Sequence, residues 1–209
     1  MTERWETLRR QVAVAGRVID TRTGKPLPGA LVTITGASPA FKKKLAAKAM
    51  QYAAQWAGMV ERADRTRSRK DGSFYFLDLP DGEYKLQASL PNMGKRYGAA
   101  EEKATVSRDD TGTIKLVFVD LPLQPTMLEG KVTGAGQKAG VVMAEVRVKG
   151  SGERTFSDAK GNYMLVAVEP GERTVLAIAQ GYRPAQQKVA LKMPGAAEKV
   201  NFALTRVNP

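Results

Sequence analysis

Short stretches of alternating apolar and polar residues, divided by glycine and proline turns, fill most of this chain. Val14-Ala15-Gly16-Arg17-Val18 opens the series, and Leu31 to Thr35 alternates after a Pro28-Gly29 turn. Asp71-Gly72 leads into Phe74-Tyr75-Phe76-Leu77, and Asp81-Gly82 leads into Tyr84-Lys85-Leu86-Gln87-Ala88. A period of two puts alternate side chains on one face of a strand. Asp-Gly between such runs marks a tight turn, since glycine tolerates the positive φ required there. Ile114 to Leu121 reads as a final strand. A second series follows the same order through Glu145-Val146-Arg147-Val148, Tyr163-Met164-Leu165-Val166, Thr174 to Ala179 and Val200 to Leu204. Short strands at this spacing predict an all-β sandwich.

The two series are copies. Gly16, Val18, Ala30, Val32, Ile34 and Gly36 match Gly130, Val132, Ala144, Val146, Val148 and Gly150 at an offset of 114. Gly72, Phe74, Gly82, Glu83 and Ala88 match Gly161, Tyr163, Gly171, Glu172 and Ala177 at an offset of 89. The first repeat therefore holds 25 additional residues between Gly36 and Gly72. Self-similarity of this kind identifies tandem modules. The expected organisation is an arm over 1–10, a first sandwich over 11–124 with an insertion at 38–65, and a second sandwich over 127–209. Leu121 to Thr126, stiffened by Pro122 and Pro125, reads as the linker.

The insertion follows a different period. Ser38-Pro39 is a helix start, with serine as cap and proline at the first position. Leu45, Ala49, Tyr52, Trp56, Met59 and Ala63 then recur at spacings of three and four, and Phe41 and Val60 widen the seam. The spacing predicts one helix from Ser38 to Arg65, roughly 40 Å long at ~1.5 Å per residue, or two joined near Gly58. Lys42, Lys43 and Lys44 sit at its positive end and Glu61 and Asp64 near its negative end, against the helix dipole, at about 0.3–1 kcal/mol each if exposed. Two readings stand: the seam packs on its own sandwich with the lysines solvated, or it docks an acidic partner.

The pattern Gly-x-Val, Pro-x-x-Gly-Ala-x-Val-x-Ile, Asp-x-x-Gly-x-Tyr and Pro-x-Gly-x-Tyr resembles the carboxypeptidase regulatory-like module. The first repeat carries Lys25-Pro26-Leu27-Pro28-Gly29-Ala30-Leu31-Val32-Thr33-Ile34 and Leu79-Pro80-Asp81-Gly82-Glu83-Tyr84. The second carries Asp158-Ala159-Lys160-Gly161-Asn162-Tyr163, Glu169-Pro170-Gly171-Glu172-Arg173 and Gly181-Tyr182. It departs at Arg173, where an aromatic is usual, and in lacking the proline before Ala144. The resemblance implies a transthyretin-like, Ig-like sandwich. The fold class is then mainly β: two tandem sandwiches, the first with a long helical insertion. Such modules are accessory parts of many kinds of protein, so the resemblance says little about function.

Composition narrows the chemistry. Histidine and cysteine are both absent from the 209 residues. That removes the commonest general base, thiol nucleophiles, disulfides and the usual zinc ligands. No catalytic set is expected, nor any cofactor or metal. Asp78 with Asp81, and Asp109 with Asp110, are read as turn-formers rather than a calcium site. Lys131 and Asn201 could suggest an internal isopeptide bond, but strand parity turns both to solvent, and their counterparts, taken as Arg17 and Val117, could not form one. Gly134-Ala135-Gly136 reads as a flexible turn.

Net charge is +12, and half of it falls in residues 37–71. No apolar run is long enough to span a membrane, and Met1 to Arg10 lacks a secretory signal's apolar stretch, so the expected location is cytoplasmic. The function expected is that of a non-catalytic structural or adaptor protein in a larger assembly. Fold-level analogy suggests an accessory part of a phage-tail-like contractile particle. The partner is a protein or a second copy, engaged through Phe41, Lys42, Lys43, Lys44, Tyr52, Trp56 and Met59. The alternative is a basic module binding nucleic acid or anionic surfaces.

Overall fold

The computed structural model describes residues 10–59 and 62–207. The arm before Arg10, and Val60 and Glu61 of the expected helix, lie outside the described residues.

The chain forms two compact units. The first runs to Asn92 and resumes over Ala100–Leu123. It contains β1 (Val12–Asp20), β2 (Leu31–Gly36), helix α1 (Pro39–Tyr52), β3 (Arg65–Arg67), β4 (Ser73–Leu77), β5 (Gly82–Ser89), β6 (Ala100–Val106), β7 (Val117–Phe118) and β8 (Leu121–Leu123). One sheet has the order β4-β1-β7, with β8 also pairing β1, and the other β3-β2-β5-β6. The second unit takes Met93–Ala99 together with everything from Gln124 onward. Its strands are β9 (Met127–Gly134), β10 (Glu145–Val148), β11 (Arg154–Phe156), β12 (Asn162–Val166), β13 (Gly171–Ile178), β14 (Ala185–Leu191), β15 (Ala197–Lys199) and β16 (Phe202–Leu204). They repeat the arrangement, as β12-β9-β15 with β16 on β9, and as β11-β10-β13-β14.

Alternation explains both cores. Val14, Val18, Val32, Phe74 and Leu86 are buried in the first unit, and Leu128, Val132, Val146, Val175 and Phe202 in the second. Each such side chain contributes about 1.5–3 kcal/mol relative to exposure. Buried polar groups are matched across the repeats too. Ser68 Oγ donates to Leu27 O and accepts from Ala30 N. Ser157 Oγ makes the same pair of bonds to Val141 O and Ala144 N.

Several expectations are corrected. Ile114 to Leu121 is not one strand but two short ones, β7 and β8, both parallel to β1. The expected linker begins too early. Leu121 and Leu123 are fully buried on either side of exposed Pro122, so they are core residues of the first sandwich. The polar strands β6 and β14 gave no apolar signal because each is an edge strand with exposed side chains. The counterpart of Asn201 is Asp120, not Val117: Lys131 N donates to Asn201 Oδ1 and Arg17 N to Asp120 Oδ1, each at 2.9 Å. The offset has fallen to 81 there because the first repeat is also longer around β6. Lys131 Nζ meanwhile reaches Lys138 O.

Tyr163 is buried in the second core, and its hydroxyl donates to Val200 O at 2.6 Å. Burial pushes its pKa well above the ordinary tyrosine value. A raised folded pKa contributes stability that is complete below the unfolded value of about 10 and is lost as pH rises beyond it. Tyr163→Phe is expected to cost about 1–3 kcal/mol at neutral pH by stripping Val200 O of its donor. It should also flatten the alkaline fall in stability. Urea midpoints on both sides of the tyrosine range test this; a variant with the wild-type alkaline slope would refute it.

A candidate docking groove on the first module

The insertion begins as the sequence requires. Ser38 Oγ accepts from Phe41 N, and Pro39 opens the helix. It ends early, however. The helix stops at Tyr52, Ala53 takes φ 44°, and a six-residue 3-10 turn covers Ala53–Gly58. The 14 helical residues give roughly 21 Å rather than 40 Å. The break falls at Ala53, not Gly58. Of the expected helix, Arg62–Asp64 form a bridge and turn, and its last residue, Arg65, opens a strand: Arg65–Arg67 pairs with β2. The pull of that pairing and the packing of an edge strand override helical periodicity over the last residues.

The seven side chains expected to bind a partner separate into three groups. Phe41 is 1% exposed and stands edge-on to Tyr84 with ring centroids 5.5 Å apart, so it is an anchor inside the module and not an interface residue. Lys42 and Lys43 are exposed. Lys44, Tyr52, Trp56 and Met59 line one groove of about 410 Å³. Lys44 Nζ donates to Asp78 O at 3.2 Å, which holds the helix across the end of β4. Tyr52 and Trp56 stack at 6.1 Å. Arg62 lies 4.6 Å over the Trp56 ring and pairs with Asp64 through two bonds of 2.9 and 2.7 Å.

Sequence reasoning missed the opposite wall. It is built from β3 and β4, with Arg65, Arg67, Arg69, Tyr75 and Leu77 among its residues. Arg69 stacks 4.7 Å from Tyr75 and donates to its hydroxyl at 2.9 Å. The dense run of arginines from Arg62 to Arg69 was visible in the sequence, but assigning its start to a helix hid that β3 and its flanking turns bring these side chains to the groove that Lys44 and Lys48 also line.

The acidic pairs have local duties. Asp109 Oδ1 accepts from the Thr111 hydroxyl and from Thr111 N and Thr113 N, and these bonds, led by the hydroxyl, hold its carboxyl below the usual range. Asp81 pairs with Arg108 at 2.5 Å, and Asp78 Oδ1 accepts from Gln11 N. Among the described residues no three acidic side chains stand together as a metal site would need.

The sequence pattern of the Carboxypeptidase regulatory-like domain matches residues 13–118 and again 127–205. The chain belongs to that family. Both regulatory-like modules are Ig-like sandwiches. The shaft pilin SpaA from Lactobacillus rhamnosus GG aligns at 14% identity over 96% of this chain and 100% of that one, TM-score 0.39. GBS52, the minor pilin of Streptococcus agalactiae, aligns at 12% identity over 94% and 96%, TM-score 0.34. The Bacillus anthracis TIE protein aligns at 14% identity over 94% of this chain, TM-score 0.38, and the chain spans 34% of its length. No curated protein sequence matches. No described helix is long and apolar enough to cross a membrane.

Proposed function

We propose that this chain is a non-catalytic structural or adaptor protein, whose first regulatory-like module holds a partner protein in a larger assembly through its insertion. One observation carries the reading. Helix α1 has a single buried side chain, Phe41, while Tyr52 is exposed and Trp56 and Met59 are half-buried beside cationic groups. The second module builds the same two sheets with no such element. An element not needed for closure, yet rich in aromatic side chains, has the composition of an interface, where a few aromatic and arginine residues dominate the energetics.

The test is excision. Residues 39–58 are replaced by a short Gly/Ser loop, which spares β3 and its pairing with β2. The expected result is a chain whose two modules keep their β circular dichroism and cooperative melting but which no longer enters the complexes that the intact protein forms in its source cells. A folded variant that still assembles normally would overturn the proposal.

A further inference from the structure

Resting on that adaptor reading, we propose that the groove between the insertion and strands β3 and β4 takes an extended, acidic segment of the partner protein. The groove opens where a hairpin divides. Arg69 N donates to Ser73 O at 2.9 Å, and beyond that bond β3 joins one sheet and β4 the other. Each therefore has a single strand neighbour, β2 or β1. Alternation fixes which backbone groups look into the cleft. Ile34 N bonds Asp64 O and Ser68 N bonds Ala30 O, so the even-numbered residues of this stretch serve β2 and Arg67 faces the cleft. Val18 N bonds Gly72 O, so Tyr75, in phase with Ser73, faces it from the other side. Paired N–H and C=O groups on an open strand edge match a peptide main chain, which supplies both donors and acceptors. A phosphodiester backbone has no donor for the carbonyls.

Charge sets the sign of the occupant. Lys44, Lys48, Arg62, Arg65, Arg67 and Arg69 line the groove together with Arg10, against Asp78 as the one acid among the described lining residues. Asp64 neutralises Arg62, which leaves five positive charges in excess. Arg65 donates to Met59 O, yet its Nε is buried without a hydrogen-bond partner. A buried guanidinium N–H with no acceptor is costly alone and favours a carboxylate at that point.

The second module shows the same position filled. Its unit includes Met93–Ala99, which lies alongside the entry to β9: Gly98 N donates to Gln124 O and Thr126 N to Arg96 O, both at 2.8 Å. Arg96 pairs with Glu153 and, at 3.4 Å, with Glu169, and donates to Ala167 O at 3.0 Å. Burial opposes the charge on Glu153, but bonds from Ser151 and the backbone, with Arg96 beside it, hold its pKa below the usual range. By the repeat offsets, Glu153, Ala167 and Gln124 stand where Asp64, Asp78 and Arg10 stand in the first module. An extended segment of opposite charge thus occupies the second cleft, and the first cleft presents cations. A second copy of this chain does not fit, since its corresponding segment carries Lys95 and Arg96. The N-terminal nine residues are no better, with Glu3 and Glu6 balanced by Arg4 and Arg9.

The probe is a fluorescent synthetic peptide alternating glutamate with valine and tyrosine, titrated with the full chain and read by anisotropy. The expected result is saturable binding that weakens about tenfold or more in Lys48→Glu/Arg67→Glu and weakens with salt. Lys42→Glu/Lys43→Glu, equal in charge change but off the groove, should bind as wild type. Lys48→Glu alone carries the test should the double variant lose its wild-type Trp fluorescence. Absence of binding, equal loss in both double variants, tighter binding of a polythymidine oligonucleotide of equal charge, or binding only after residues 1–9 are removed would each overturn the proposal. The adaptor reading fails separately, if excision of the insertion leaves assembly intact.

Discussion

Gly130→Ala should unfold the second module and leave the first folded, and Gly16→Ala should do the reverse. A Cβ placed on Gly130 would stand 1.8 Å from Val200 O and 2.7 Å from Val200 C, with Tyr163 Cε1 at 3.1 Å. On Gly16 it would stand 1.8 Å from Val119 O and 3.1 Å from Phe74 Cε1. In each case the obstacle is backbone of the crossing final segment, which cannot swing aside like a side chain. The glycine strand is equally fixed: β9 is held by β12 on one side and by β15 and β16 on the other. Relief requires breaking a sheet. The cost should exceed about 4–5 kcal/mol, a large share of the roughly 5–15 kcal/mol available to a small domain. Neither tryptophan lies in the second repeat: Trp56 is in the insertion of the first, and Trp5 precedes it. Gly130→Ala should therefore halve the β circular dichroism with little change in the Trp56 signal, whereas Gly16→Ala should shift that signal. Variants that both remain folded at ambient temperature would show that the final segments can move away.

These glycines also show what the sequence could and could not reveal. Gly16 and Gly130 anchored the repeat, and the repeat with its alternating strands led directly to two sandwiches. Local turn chemistry and period-two burial are written residue by residue, so they survive into the fold. The groove was only half legible. Tyr52, Trp56 and Met59 were found through helical spacing, which holds as far as Tyr52, and Lys44 through the basic run at the start of the helix. Arg65 and Arg67 were missed because a three-residue edge strand has too few positions to show alternation against a neighbouring helical pattern. Its identity is decided by β2, more than thirty residues away in the chain. Phe41 was misjudged for a related reason. A large aromatic on a seam looks the same in sequence whether it meets a partner or, as here, Tyr84 of its own sandwich. The cleft filled by Arg96 lay beyond sequence reasoning altogether, because Met93–Ala99 sits within the first repeat and belongs to the second unit.

Phe41→Ala should release the insertion from the first module without unfolding the sandwich. Phe41 is the only buried residue of α1, so the main apolar attachment of the helix is this side chain and its edge-on contact with Tyr84. Truncating a buried phenylalanine costs about 3–5 kcal/mol. What remains for the helix is the Ser38 cap, the bond from Lys44 Nζ to Asp78 O and the half-buried Leu45 and Ala49, while Arg62 and Arg65 hold the 3-10 turn beyond it. A helix of 14 residues with no acidic group in its first turn and no basic group in its last is marginal in water on its own. Detached, it should melt. Tyr84 keeps its bond to Pro80 O at 2.6 Å, and the paired strands around it are untouched, so the sandwich should lose far less than the helix does. The expected signature is loss of the helical circular dichroism band, a Trp56 fluorescence shift as its stack with Tyr52 and Arg62 comes apart, and rapid tryptic cleavage between Lys42 and Lys48, all before the cooperative β melt. Phe41→Leu, which restores most of the buried volume, should return each signal toward wild type. The acidic peptide should lose affinity for Phe41→Ala although Phe41 never touches it, because the wall bearing Lys44, Lys48 and Trp56 is gone. An intact helical signal would mean that other contacts hold the insertion, and unfolding of the whole module would make Phe41 part of the sandwich core.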